Sequence, residues 1–170
     1  MQSSLITNKP CEGQFILHRF NGDEVYRFQS AEMFAYEDES GHVTLWFEVS
    51  SDPDAVLQCE DTAELNMSPN AEVGIDLIEF DVDSLVGREF SILGTLSDEE
   101  DSSMSLLYYC EHQPLRDNKI TVISREGNRF QLRWTAKTQD VNYYDGSKPQ
   151  TNVEIIGEFL FKNIEKWTKF

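Results

Sequence analysis

The chain is short of the residues that mark several familiar classes. Its 170 residues include three cysteines, three histidines, five prolines and nine glycines. Cys11, Cys59 and Cys110 are widely spaced, with no CxxC pair and no Cys/His ligand spacing. Sparse, unpaired thiols of this kind imply a reducing compartment, so the expected location is the cytoplasm. Apolar runs fall far below the roughly twenty residues of a membrane helix. The start, MQSSLITNKPCEGQF, has no basic stretch followed by an apolar one, so no signal peptide is expected. No G-x-S-x-G, H-E-x-x-H or Walker-type glycine loop occurs, and nothing marks a catalytic set.

Basic residues are also scarce, 14 against 31 acidic ones, for a net charge of −17. Residues 1–115 hold 24 acidic and 4 basic side chains, whereas residues 116–170 hold 7 and 10. Such a field repels phosphate, which argues against nucleic acid and anionic membranes as partners. It attracts cationic partners. Solubility alone is the simpler reading of the same charge.

What the sequence has in quantity is alternation. Eleven Phe and six Tyr fall in period-two runs suited to half-buried strands. FILHRF-NG-DEVYRFQ reads as a hairpin with Asn21-Gly22 in a type I′ turn. A second hairpin turns near Ser40-Gly41, with a short helix over Ser30–Tyr36 as the alternative. Val43, Leu45, Phe47 and Val49 form a core face, leaving Trp46 outward beside Thr44 and Glu48.

Residues 51–70 read as a loop with a short strand at Ala55–Glu60, followed by strands at Val73–Phe80 and Arg88–Leu96. Ser105–Glu111 is apolar on both faces, implying a strand covered on both sides or lining an occupied interior. After a turn-like Pro114–Asn118, a third hairpin joins Lys119–Ser124 to Arg129–Lys137 through the turn 125–128, with Phe130, Leu132, Trp134 and Ala136 inward. Gln139–Gln150 is a loop. Thr151–Phe161 is a last strand, and the tail from Lys162 closes in a helical turn. Gly41, Gly74, Gly94 and Gly157 stand alone and read as turn or bulge residues.

The expected fold is all-β: one domain over residues 1–170, an antiparallel β-sandwich or barrel of about nine or ten strands with at most one or two short helical turns. Residues 1–12 form a loosely ordered N-terminal segment.

The candidate binding residues are Trp46, the loop pair Tyr143-Tyr144 and the acidic run Asp98, Glu99, Glu100 and Asp101. An outward Trp marks a binding platform or an oligomer contact, or is covered by a loop or the C-terminal turn. Tyrosines offer a large contact area at low entropy cost. Asp76, Glu79, Asp81 and Asp83 are a second acidic group, but neither run has an EF-hand pattern. His18, His42 and His112 have no metal-ligand spacing. No cofactor or metal is assigned. Arg125, Arg129, Arg133 and Lys137 make a basic stripe, read as pairing with glutamates such as Glu154 and Glu158; self-association against the acidic half is the alternative. The function expected is a non-catalytic interaction module for a cationic protein partner, inhibitor- or immunity-like. The alternatives are a barrel enclosing a small apolar ligand, with Leu106 or Tyr108 in its lining, and an enzyme with a site assembled from distant strands.

Overall fold

The structure is a computed structural model that describes residues 9–93, 104–162 and 165–166. Eleven strands form one sheet: β1 (Gly13–Arg19), β2 (Gly22–Glu37), β3 (Val43–Ser51), β4 (Asn70–Leu77), β5 (Glu89–Ile92), β6 (Met104–Tyr109), β7 (Glu111–Pro114), β8 (Arg116–Glu126), β9 (Arg129–Thr138), β10 (Thr151–Phe161) and β11 (Glu165–Lys166). A one-turn helix, α1 (Glu60–Ala63), and a 3-10 turn at Val82–Ser84 complete it. The strand order is β5-β8-β9-β10-β1-β2-β3-β4-β6-β7, with β11 added to β2. All named pairings are antiparallel except those of β10 and β11 with β2.

Alternation produces the core as expected. Val43, Leu45, Phe47 and Val49 are buried on β3, as are Phe130, Leu132, Trp134 and Ala136 on β9. The sheet curls until distant strands meet. Phe47 on β3 touches Phe90 on β5 and Phe159 on β10, and Phe28 on β2 also meets Phe159. Asn118, 2% exposed, fastens the curl: its Oδ1 accepts from Ser105 Oγ on β6 and from Trp134 Nε1 on β9, both at 2.9 Å. Burying each such large side chain contributes about 1.5–3 kcal/mol.

One irregularity decides which residues face out on β2. The register slips between Phe28 and Ser30. Before it the buried residues are Glu24, Tyr26 and Phe28; after it they are Ala31, Met33 and Ala35. This extra residue is a β-bulge, which reverses the inward parity. Beyond it β2 leaves β1, gains β3 as partner, and turns Glu32, Phe34 and Tyr36 outward.

Several expectations need correction. The first hairpin reverses through Phe20 and Asn21, because Arg19 pairs with Gly22; the positive φ belongs to Gly22 (136°), so there is no type I′ turn. Ser30–Tyr36 is strand, because the alternation of Ala31, Met33 and Ala35 with larger outward residues outweighs helix propensity. Ala55–Glu60 shrinks to one bridge between Val25 and Leu57. Ser105–Glu111 is broken at Cys110 (φ 63°), where the chain folds back as β7. Leu107 and Tyr109 are buried inward, while Leu106 and Tyr108 point out, so β6 is not covered on both faces. Within Pro114–Asn118, β8 already begins, with an irregularity at Asp117. Residues 165–166 are strand, not helix. Residues 9–12 are held: Glu158 N donates to Glu12 O at 2.9 Å, and Arg129 donates to Lys9 O. Among the described residues no helix is long and apolar enough to cross a membrane.

Candidate functional site

The outer face of β2, β3 and β4 carries three rows of side chains, fixed by register. The first is Glu32–Glu48–Glu72, with Glu48 directly opposite a glutamate on each side. The second is Phe34–Trp46–Gly74, and the third is Tyr36–Thr44–Asp76. An open groove of about 470 Å³ runs over them, bordered at the β2–β3 turn by Asp38 and His42.

Gly74 explains how Trp46 lies. It is in mid-strand, without a positive φ, so no turn requires glycine there. A Cβ at Gly74 would fall 2.9–3.0 Å from Cζ2, Cε2 and Cη2 of Trp46. Near-equal distances to three consecutive ring atoms put that point over the ring face, since an edge approach would favour one atom strongly. The indole therefore lies flat on the glycine and turns its other face away from the sheet. Gly74 is buried on an outer face because the ring covers it. Phe34 flanks Trp46 and meets Tyr36 edge-to-face at 5.2 Å. Gly157 is likewise not a turn residue; it pairs with Gly13 beneath the Phe28 ring.

The glutamate row sets like charges side by side. Like charges directly opposite on neighbouring strands repel. Among the described residues, Lys162 Nζ pairs with Glu32 at 2.9 Å, while Glu48 and Glu72 have no ion pair. Partial burial, followed by the fields of Glu72 and Glu32, outweighs the opposing field of Lys162 and pushes the Glu48 carboxyl up from its ordinary value. A second depression, lined by Leu106, Tyr108 and His112, shares Glu48 and Glu72 with the groove. Tyr108 and His112 pack there with ring centroids 4.6 Å apart and planes tilted by 46°.

A second concentration of carboxylates lies at the β1–β2 end. Phe15, Leu17 and Arg19 share the inward side of β1, so the alternation itself drives an arginine inside. The Arg19 side chain is fully buried. Its Nη1 and Nη2 each donate to Asp61 at 2.8 Å, and Nε and Nη2 donate to Asp140 at 2.9 and 2.8 Å. Glu24 Oε2 lies 3.4 Å from Nη1. The other Glu24 oxygen accepts from Thr62 Oγ1 at 2.6 Å and Tyr26 OH at 2.9 Å. Burial pulls the Arg19 pKa down, but hydrogen bonds to Asp140 and Asp61 more than offset it and leave it raised. The same bond from Arg19 lowers the Asp61 carboxyl to about 2. Burial, then Tyr109 and Glu24, raises the Tyr26 phenol. The network ties α1 and the loop after β9 to β1 and β2. Among the described residues no buried side-chain N or O lacks a partner.

The other candidates lie elsewhere. Tyr144 OH donates to Tyr109 O at 2.5 Å, and Tyr143 packs edge-on against Phe20 at 5.4 Å. Both lie back on the β1–β2 end, and neither lines the Trp46 groove. Asp98, Glu99, Glu100 and Asp101 are outside the described residues. Of the second acidic group, Asp76 accepts from Thr44 Oγ1, Asp81 caps the 3-10 turn and Asp83 pairs with Arg125. His18 pairs with Asp23 and Glu154, and His42 lies 3.8 Å from Asp38, so the histidines do not converge. Among the described residues no group of three or more His, Cys, Asp or Glu side chains is placed to hold a metal ion. The basic stripe is paired: Arg129 with Glu158 at 2.6 Å, Arg133 with Glu154 at 3.7 Å and Lys137 with Asp117 at 4.0 Å.

No family model matches this chain, and no curated protein or solved structure matches it. The site is therefore read from its own geometry. Sequence reading identified Trp46 but missed Phe34, Glu48, Glu72 and Gly74, whose grouping exists only once β2, β3 and β4 are in register. Arg19 did carry a signal: a charged residue at an inward position of an alternating run.

Proposed function

We propose that the protein is a non-catalytic interaction module whose outer β2–β3–β4 face receives a basic segment of a partner protein. The observation that carries this reading is the row Glu32–Glu48–Glu72 beside the seated Trp46. Two adjacent like-charge pairs cost stability, and an external cation would relieve both. A ring face next to them adds cation–π attraction and apolar contact for the stem of a Lys or Arg side chain. The acidic balance of residues 1–115 would steer such a partner over longer range. The partner sought is cationic, as a toxin or nuclease blocked by an acidic inhibitor would be.

The test is a calorimetric titration with a Gly/Ser-spaced peptide carrying both Lys and Arg, at low and at high salt. Wild type is compared with Trp46→Ala and with Trp46→Phe, which keeps a ring. Binding that weakens with salt and falls in Trp46→Ala supports the reading. Binding that ignores both salt and Trp46 contradicts it. Self-association lost in Trp46→Ala, without peptide binding, would assign the face to a second copy and overturn it.

A further inference from the structure

We infer that the groove selects arginine over lysine in its partner, an inference that rests on the docking reading above. The first observation is the orientation of Trp46. One indole face lies on Gly74, and the half-buried ring lines the open groove. A guanidinium is planar and stacks on such a face, whereas an ammonium is a compact, strongly hydrated point charge. The second observation is where the carboxylates stand. Glu48 is two residues from Trp46 on the same face of β3, and Glu72 stands next to it across the strand pair. Carboxylates at the rim of a ring suit a cation that stacks and donates sideways in its own plane, which is guanidinium geometry.

The third observation is that, among the described residues, two of the three arginines over rings also hold a carboxylate, the exception being Arg88 at 4.8 Å from the Phe90 centroid. Arg125 lies 5.0 Å from the centroid of Phe130 and donates to Asp83 at 2.6 Å. Arg19 lies 5.7 Å from the Phe20 centroid while holding Asp61 and Asp140 with paired bonds. Lys148, by contrast, sits over Phe20 and Tyr143 at 5.0 and 5.1 Å and meets Asp145 only through its field, without a direct ion pair among the described residues. The groove offers ring and carboxylates together, and among the described residues neither Glu48 nor Glu72 has an arginine of the chain.

The test uses two Gly/Ser-spaced peptides of equal charge, one with arginine and one with lysine at every basic position, at matched ionic strength. Calorimetry gives affinity, and the Trp46 indole N–H resonance reports occupancy of the groove. The arginine peptide is expected to bind wild type about threefold to tenfold tighter, the gain of a stacked, forked cation over a point charge. Trp46→Ala should erase the preference, and Glu72→Gln should shrink it. Equal or tighter lysine binding, with the Trp46 resonance still shifting, overturns the selectivity and leaves the docking reading standing. No shift with either peptide overturns both.

Discussion

Two places in this molecule gather three carboxylates, and they are built differently. At the β1–β2 end, Glu24, Asp61 and Asp140 surround a buried arginine that holds Asp61 and Asp140 through paired bonds and Glu24 through one. On the outer face, Glu32, Glu48 and Glu72 stand in a row; Lys162 pairs directly with Glu32, and its field also reaches Glu48. The first cluster is closed and holds two loops in place; the second is open, and in the proposed reading a cation of the partner docks on it.

The largest expected effect breaks the closed cluster. Arg19→Met should cost about 3–5 kcal/mol, because it leaves buried carboxylates without their cation. The midpoint of urea denaturation measures this. A loss under 1 kcal/mol (about the worth of a surface pair) would mean that the network does not hold the loops.

Next, Gly74→Ala drives a Cβ into the indole. It should cost about 1–3 kcal/mol if the ring stays, as overpacking does. If the ring lifts instead, stability changes little and peptide affinity falls. A variant with both stability and binding unchanged would show that Trp46 does not rest on Gly74.

The third effect is pH-dependent. Asp61 has its pKa lowered from 3.8 to about 2 in the fold. Its contribution is therefore present above 3.8 and is lost as pH falls toward 2, about 1–2 kcal/mol after allowing for its partial exposure. The stability gap between wild type and Asp61→Asn, measured by denaturation from pH 5 downward, should close over that window. A gap that does not change with pH would mean that the fold does not lower the Asp61 pKa.

Glu48 runs the other way. Its pKa is raised, so its favourable contribution is present at low pH and is lost as pH rises through the folded value. Glu48→Gln should therefore stabilise the protein near neutral pH, by about 0.2–1 kcal/mol for relieved like-charge pairs. The gain should vanish in acid.

The sequence carried most of the fold, because alternation alone divides Val43–Val49 and Phe130–Ala136 into inner and outer sets. It misled where one residue changed the phase: the bulge after Phe28, the break at Cys110, and a first turn displaced by one. Those are local backbone events that composition does not record. The site was legible only in part. Trp46 stood out as a large ring on a polar face, but its floor and its glutamates come from three strands, and no spacing along the chain brings Glu32, Glu48 and Glu72 together. Tyr143 and Tyr144 read as a loop-borne pair or as one folded back on the sheet edge, and nothing in the sequence shows that Phe20 and the Tyr109 carbonyl are near them.

The central claim is that the outer glutamate row gives up stability for a cation from outside the chain. The most direct measurement is paired stability and basic-peptide affinity for Glu48→Gln/Glu72→Gln against wild type. The claim predicts a more stable protein that binds the peptide more weakly. A double variant that is less stable, or that binds as well as wild type, would contradict it.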